Sequence, residues 1–146
     1  MTSRTERLVG AGAAASTRRA RRFLPVAGLV MAAWALLPPY TGPELNTEMR
    51  VEVADHVIPA LVVAVVSVAV ILLRRRQEAL SALPLVAGFV VLLAGLWMVS
   101  THVPLVAQAT RGEVPWSATV YHAAPSVAAF VLGLAWAVAH WSDPSA

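Results

Sequence analysis

The chain contains no cysteine and no lysine, and it has few charged residues of either sign. The absence of cysteine excludes disulfides, thiolate zinc sites, iron–sulfur clusters and cysteine nucleophiles. Charged residues make up 13% of the 146 residues, whereas hydrophobic residues make up 58%. A soluble domain of this size needs more charge to cover its surface. Because every basic residue is an arginine, we also expect a bacterial source with a biased codon usage. The composition therefore predicts a membrane protein.

The apolar residues form four runs, each close to the roughly 20 residues that a membrane helix needs. The runs are Phe23 to Tyr40, His56 to Leu73, Ala79 to Thr101 and Thr119 to Ala139. The first run could be a signal peptide, but we find no small-residue cleavage site before its prolines, and the run is long for a signal-peptide core. We expect an all-α integral membrane protein, with a four-helix bundle in residues 23–146. A basic, flexible cytoplasmic tail over residues 1–22 should precede it.

The arginines are distributed unevenly among the segments that connect these runs. Nine lie before the first run or between the second and third, and two lie in the other connections. Since cytoplasmic loops are rich in arginine, we expect a multi-pass protein of the bacterial inner (plasma) membrane with both termini cytoplasmic. The lipid bilayer is then its main partner, and nucleic acid is not expected. The arginines expected at the membrane surface, near anionic headgroups, are Arg18, Arg19, Arg21, Arg22, Arg74, Arg75 and Arg76.

Three short motifs recur in the same order along the chain. They are "LPVAGLV" from Leu24 and "LPLVAGFV" from Leu83, "RVEV" from Arg50 and "RGEV" from Arg111, and "HVIP" from His56 and "HAAP" from His122. Three matches in one order indicate a duplication. We therefore expect two related transmembrane hairpins in tandem, over residues 23–73 and 79–139. Because both hairpins have one orientation, their pseudo-axis should run along the membrane normal.

The expected hairpin resembles the repeat unit of the bacterial SPW-repeat membrane proteins. The matching stretches are "WALLPPYTG" at 34–42 and "LWMVSTHVP" at 96–104, each followed by a second apolar helix. The Ser-Pro-Trp tripeptide itself is replaced by "LPPY" and "STHVP". The resemblance implies two tandem helical hairpins over about residues 23–139. It implies no defined activity, because the family is not tied to one.

Three histidines, His56, His102 and His122, are expected near the outer ends of the helices. Imidazole, together with nearby carboxylates, suits zinc, copper or iron. His56 and His122 could also face each other across the pseudo-axis and ligate a haem from both sides. The alternative is that His-x-x-Pro marks the start of a helix, with the proline in the first turn and the histidine at the interface.

The remaining charged residues of the outer loops form two candidate ion pairs, Arg50 with Glu52 and Arg111 with Glu113. Such pairs could also contact an outer ligand or partner. The apolar runs hold almost no ionisable residue, which argues against a pump. No catalytic motif is present, so we do not expect an enzyme.

These observations favour a non-enzymatic membrane protein with a structural or accessory role. It would need no cofactor and would associate with itself or with another membrane protein. One alternative is a protein that binds a divalent metal or haem through the three histidines. The other is a small-solute channel formed by oligomers.

Overall fold

The computed structural model describes residues 21–37, 49–73 and 81–141, and these residues are almost entirely helical, with no strand among them. Helix α1 covers 21–35. Helix α2 covers 49–73 and consists of α-helix Met49–Glu52, π-helix Val53–Val57 and α-helix Ile58–Leu73. Helix α3 is Leu83–Thr110 and helix α4 is Trp116–Trp141.

Three helices are long and apolar enough to cross a bilayer: Val53–Leu73, Leu83–Thr110 and Trp116–Trp141. With a rise of 1.5 Å per residue, α3 is about 42 Å long, more than the roughly 30 Å of hydrocarbon. Much of each helix exposes valine, leucine or tryptophan, as expected where lipid is the solvent. The prediction of an all-helical chain is thus confirmed for the described residues, and three of the helices have the length and composition of membrane spans. The described part of α1 is 15 residues long, so the expected span there stays a prediction.

The helices extend further than the apolar runs predicted. Helix α2 begins at Met49 instead of His56, α3 continues to Thr110 instead of ending at Thr101, and α4 begins at Trp116. The expectation that Pro59 and Pro125 lie in a first helical turn is wrong, because both lie well inside their helices. Prolines are tolerated inside membrane helices because neighbouring groups and local π or 3₁₀ turns accommodate the missing backbone hydrogen bond.

Helices α3 and α4 form a tightly packed antiparallel hairpin. Gly88 lies against the backbone of Ala137, Gly95 against Phe130, and Gly133 against Leu92. In each pair a side chain on the glycine would overlap the opposite backbone. In each pair the two residues lie equally far along the chain from the α3–α4 turn, so all three pairs belong to one continuous register. The same register continued towards the turn brings His102 and His122 to the same level.

The turn between α3 and α4 is closed by backbone hydrogen bonds around Gly112. The Gly112 amide donates to the Ala109 carbonyl at 3.0 Å, and the Glu113 amide donates to the Gln108 carbonyl at 3.0 Å. Gly112 has φ of +76°, the left-handed conformation that glycine adopts easily. These two bonds form a Schellman motif, which satisfies the last carbonyls of α3.

Helices α1 and α2 pack on this hairpin through small residues. Gly28 of α1 contacts the Ser67 side chain of α2 and the Trp136 ring of α4. Both of those side chains are fully buried. Met31, Ala32 and Ala35 of α1 belong to the same core. The small side chains let all four helices approach closely, as is typical of helix packing in membranes.

Candidate metal centre

Three of the four histidines converge at the end of the bundle where α3 turns into α4. His56 comes from α2, His102 from α3 and His122 from α4. One ring nitrogen from each histidine lies within 4.8 Å of the other two. All three side chains are buried, and His56 is not exposed at all. The fourth histidine, His140, bonds instead to the Trp136 carbonyl, near the other end of α4.

The histidine rings are in direct contact with one another. The His56 ring stands edge-to-face on both others, with centroids 4.9 Å from His102 and 4.7 Å from His122. The centroids of His102 and His122 are 5.4 Å apart. The Nε2 atoms of His56 and His102 are 3.2 Å apart, close enough for one proton to be shared as a hydrogen bond. For both nitrogens to face one ion, neither can carry that proton.

The π-helical segment determines how the start of α2 meets this cluster. The Ile58 amide bonds to the Val53 carbonyl, one residue further back than in an α-helix. The following residue, Pro59, has no amide hydrogen to donate, so the regular hydrogen-bond ladder cannot continue through it. Single π turns occur frequently at functional sites. Here the turn contains His56 and directs it into the bundle, which accounts for the first His-x-x-Pro motif better than a helix start does.

Hydrogen bonds on the opposite edge of the ring hold His102 in place. Its Nδ1 lies 2.6 Å from the Met98 carbonyl, one turn earlier in α3, so this nitrogen carries the hydrogen and donates it. The hydroxyls of Thr101 and Ser126 lie 3.3 and 3.4 Å from the same atom. With Nδ1 as donor, Nε2 of a neutral His102 has a free lone pair directed at the cluster. Histidines that bind a metal commonly donate the hydrogen on their other ring nitrogen to a backbone carbonyl, as His102 does here.

Glu52 adds a carboxylate to the three histidines. Its Oε1 lies 3.4 Å from Nε2 of His122, and its Oε2 lies 3.8 Å from Nε2 of His56. The side chain is buried, one helical turn before His56 on the same face of α2. The sequence interpretation paired Glu52 with Arg50 in an exposed loop, whereas the structure puts Glu52 in a helix and inside the cluster. The Arg50 side chain lies outside the described residues.

The distances among these groups fit the geometry of a bound metal ion. Two ligands at about 2.1 Å from a tetrahedral zinc ion lie roughly 3.4 Å apart. The closest pairs here, His56 with His102 and His122 with Glu52, are 3.2 and 3.4 Å apart. Imidazole nitrogen and carboxylate oxygen suit zinc, iron, copper and nickel. The three histidine nitrogens, within 4.8 Å of one another, can therefore face one divalent ion, and Glu52 lies next to two of them.

The other predicted site residues lie away from this cluster. Arg111 and Glu113 form an exposed two-point ion pair at the α3–α4 turn, with nitrogen–oxygen distances of 2.6 and 3.1 Å. The Glu113 carboxylate raises the pKa of Arg111 above its ordinary value. Arg21 and Arg22 lie at the start of α1 and make interactions there. The remaining expected membrane-surface residues, Arg18, Arg19, Arg74, Arg75 and Arg76, lie outside the described residues.

An apolar cavity of about 290 Å³ adjoins the cluster between α3 and α4. Val99, Val103, Val106 and Val127 line it, together with His102 and Ser126. Ser126, which lies 3.4 Å from Nδ1 of His102, lines the same cavity. Val103 and Val127 are more than half exposed, so the cavity opens outwards from the bundle.

The sequence singled out the three histidines but missed how Glu52 and Ser126 relate to them. The spacing of Glu52 and His56, four residues apart, is a signal that both share one helical face. It could be used only if α2 was known to begin before Glu52. Ser126 and the Met98 carbonyl carried no signal, because their contacts with His102 depend on the register of the hairpin.

No family model matches the chain, and no curated protein or solved structure matches it either. The resemblance to the SPW-repeat membrane proteins therefore stays a prediction from the sequence.

Proposed function

We propose that this chain is an integral membrane protein that binds one divalent transition-metal ion at the cluster of His56, His102 and His122. The main observation in support is that three separate helices each supply one buried histidine, with ring nitrogens within 4.8 Å of one another. Ionisable side chains buried at membrane depth are rare and usually functional. Here they lie in a chain with 58% hydrophobic and 13% charged residues, which makes a chance cluster a poor explanation.

A single ion fits the cluster better than haem does. The rings of His56 and His122 touch edge to face, with centroids 4.7 Å apart. A haem ligated by both would have to insert its macrocycle between them, and this would drive α2 away from α4. A metal ion needs only that the nitrogens face inwards, and His102 already does so through its bond to Met98.

The test is metal content of the purified full-length protein in detergent, first stripped with a chelator and then reloaded with Zn²⁺. We expect one Zn²⁺ per chain in the wild type and none above background in the His56→Ala, His102→Ala, His122→Ala triple variant. The matched control is His140→Ala, which removes a histidine of the same α4 helix outside the cluster. Equal zinc content in the wild type and the triple variant would overturn the proposal.

We further propose a topology of four spans in two tandem hairpins, with both termini in the cytoplasm of a bacterium. The arginine distribution supports this orientation. The three motifs that recur in one order along the chain support the duplication. Gly28 and Gly88, which belong to the first of these motifs, each lie against the second helix of the expected hairpin, Gly28 against Ser67 and Gly88 against Ala137.

Since the chain has no cysteine, this topology can be tested by labelling single introduced cysteines. In intact cells, a membrane-impermeant maleimide should label Glu113→Cys and leave Arg75→Cys unlabelled until the membrane is opened. Labelling of Arg75→Cys in intact cells would reverse the proposed orientation.

A further inference from the structure

We infer that Glu52 is the fourth ligand of the ion and that the loaded site is closed, holding α2 against the α3–α4 hairpin. This rests on the metal binding proposed above and extends it to coordination and role. The cluster could instead be an open, three-histidine site with a water molecule on the metal. The two arrangements differ in what Glu52 does, and three features of the structure favour the closed one.

The first feature is the position of the Glu52 carboxylate. It reaches the Nε2 atoms of two of the three histidines, at 3.4 Å for His122 and 3.8 Å for His56. An ion facing those nitrogens would therefore also lie next to a carboxylate oxygen. Three nitrogens and one oxygen complete the four-coordinate shell that structural zinc sites have. No space is then left in that shell for a water molecule.

The second feature is the balance of charge in a poorly solvated place. A divalent ion held by three neutral imidazoles keeps both positive charges. A carboxylate ligand reduces the net charge to one, which matters because charge is costly away from water. Glu52 is itself 93% buried, since 7% of its surface is exposed, so the ion and the carboxylate compensate each other.

The third feature is the way in which the helices are joined. The glycine contacts of Gly88, Gly95 and Gly133 already hold α3 and α4 together backbone to backbone. Helix α2 supplies two of the four ligands, Glu52 and His56, from the segment around its π turn. An ion bound here would connect the start of α2 to both helices of the hairpin. It would act as a structural link at the point where the packing depends on polar side chains.

The neighbouring apolar cavity does not convert the centre into an open site. Among the four proposed ligands, its lining includes His102 but not Glu52, His56 or His122. The other ligand side chains are largely covered, with 9% of the Glu52 and His122 side chains exposed and none of His56. A substrate in the cavity would contact only one of the four proposed ligands.

The decisive experiment replaces Glu52 by glutamine and uses Co²⁺ as a spectroscopic substitute for Zn²⁺. In the wild-type protein, four-coordinate Co²⁺ should give the intense visible absorption of a tetrahedral site. In Glu52→Gln we expect a weaker spectrum of higher coordination, as water enters. Zn²⁺ affinity, measured by competition with a chelator, should fall at least about 10-fold. Removal of a residue that only hydrogen-bonds to a ligand typically costs about 10- to 100-fold, and removal of a ligand should cost no less. Glu52→Asp should recover part of the affinity.

The matched control is Glu113→Gln, which removes an exposed acid from the same end of the bundle. It should keep the wild-type Co²⁺ spectrum and Zn²⁺ affinity. Helix content and elution volume of every variant, measured by circular dichroism and gel filtration, establish that it is folded. A structural role also predicts that Zn²⁺ raises the thermal midpoint of the wild type and has a much smaller effect on Glu52→Gln.

The outcomes separate this inference from the proposed function. If the wild type binds Zn²⁺ but Glu52→Gln keeps the same affinity and Co²⁺ spectrum, Glu52 is not a ligand and the inference is overturned. A wild-type Co²⁺ spectrum that changes when azide is added indicates an open position and also overturns it. If the wild type binds no metal, the proposed function itself fails.

Discussion

His56 and His102, separated by 46 residues, face each other through their Nε2 atoms at a distance of 3.2 Å. This contact joins α2 to α3 and lies at the centre of the polar cluster. A different feature positions each ring: His56 lies in a π turn of α2, and His102 donates a hydrogen bond to the Met98 carbonyl. Two independent constraints thus bring two histidine nitrogens to ligand spacing in an apolar bundle.

The affinity for Zn²⁺ should fall as the pH is lowered. Metal ions bind neutral imidazole, so protons compete with the ion for its histidine ligands. Burial favours the neutral form of an imidazole, so we expect the loss only below about pH 5.5, under the range in which an exposed histidine titrates. Competition titration in detergent measures it, and a loss already complete at about pH 6.5 would mean that exposed histidines bind the ion.

Replacing Pro59 by alanine should weaken metal binding without unfolding the protein. Alanine restores an amide hydrogen, which allows α2 to continue as a regular α-helix through the π turn. Removing the π turn would rotate Glu52 and His56 relative to the rest of α2 by about 100°, the angle of one residue. We expect a clear loss of Zn²⁺ affinity with unchanged helix content by circular dichroism.

The control for this change is Pro84→Ala, at the start of α3, where no helical hydrogen bond depends on the residue. It should leave the affinity unchanged. If Pro59→Ala binds Zn²⁺ as tightly as the wild type, the π turn does not position the ligands.

Replacing Gly133 by valine should destabilise the α3–α4 hairpin. The new side chain would overlap the backbone of Leu92, which cannot move without separating the helices. Overpacking costs about 1–3 kcal/mol where side chains can adjust, and a clash with backbone should be at the upper end. Thermal unfolding in detergent measures the loss. Because the hairpin carries His102 and His122, Zn²⁺ affinity should fall as well.

Ala135→Val is the matched control, since Ala135 lies on the exposed face of the same helix. It should change the thermal midpoint little. Equal midpoints for Gly133→Val and Ala135→Val would show that the glycine contacts do not hold the hairpin together.

The helices of this protein were largely predictable, whereas their ends were not. Long apolar runs specify helices in a bilayer because no other structure satisfies the backbone there. The segments 49–55 and 102–110 contain two acids, one proline and one histidine, and on the sequence they resemble loops. They are helical because the bundle supplies partners for those polar groups, as the contacts of Glu52 and His102 show. The polar composition of segment 49–55 is also why the sequence analysis placed Glu52 in a loop.

The sequence by itself determined that the chain is helical, that most of it suits a lipid environment, and that three histidines lie towards one end of the helices. These follow from composition and run length, which act locally. Only the tertiary structure decided that His56, His102 and His122 meet, and that Glu52 joins them. Their meeting depends on the glycine register of α3 and α4 and on the π turn in α2. The glycine register is a property of two backbones packed against each other, which the order of residues along one helix does not specify. The π turn precedes Pro59, but its effect on the ligands depends on α2 extending back to Met49, which the sequence did not indicate.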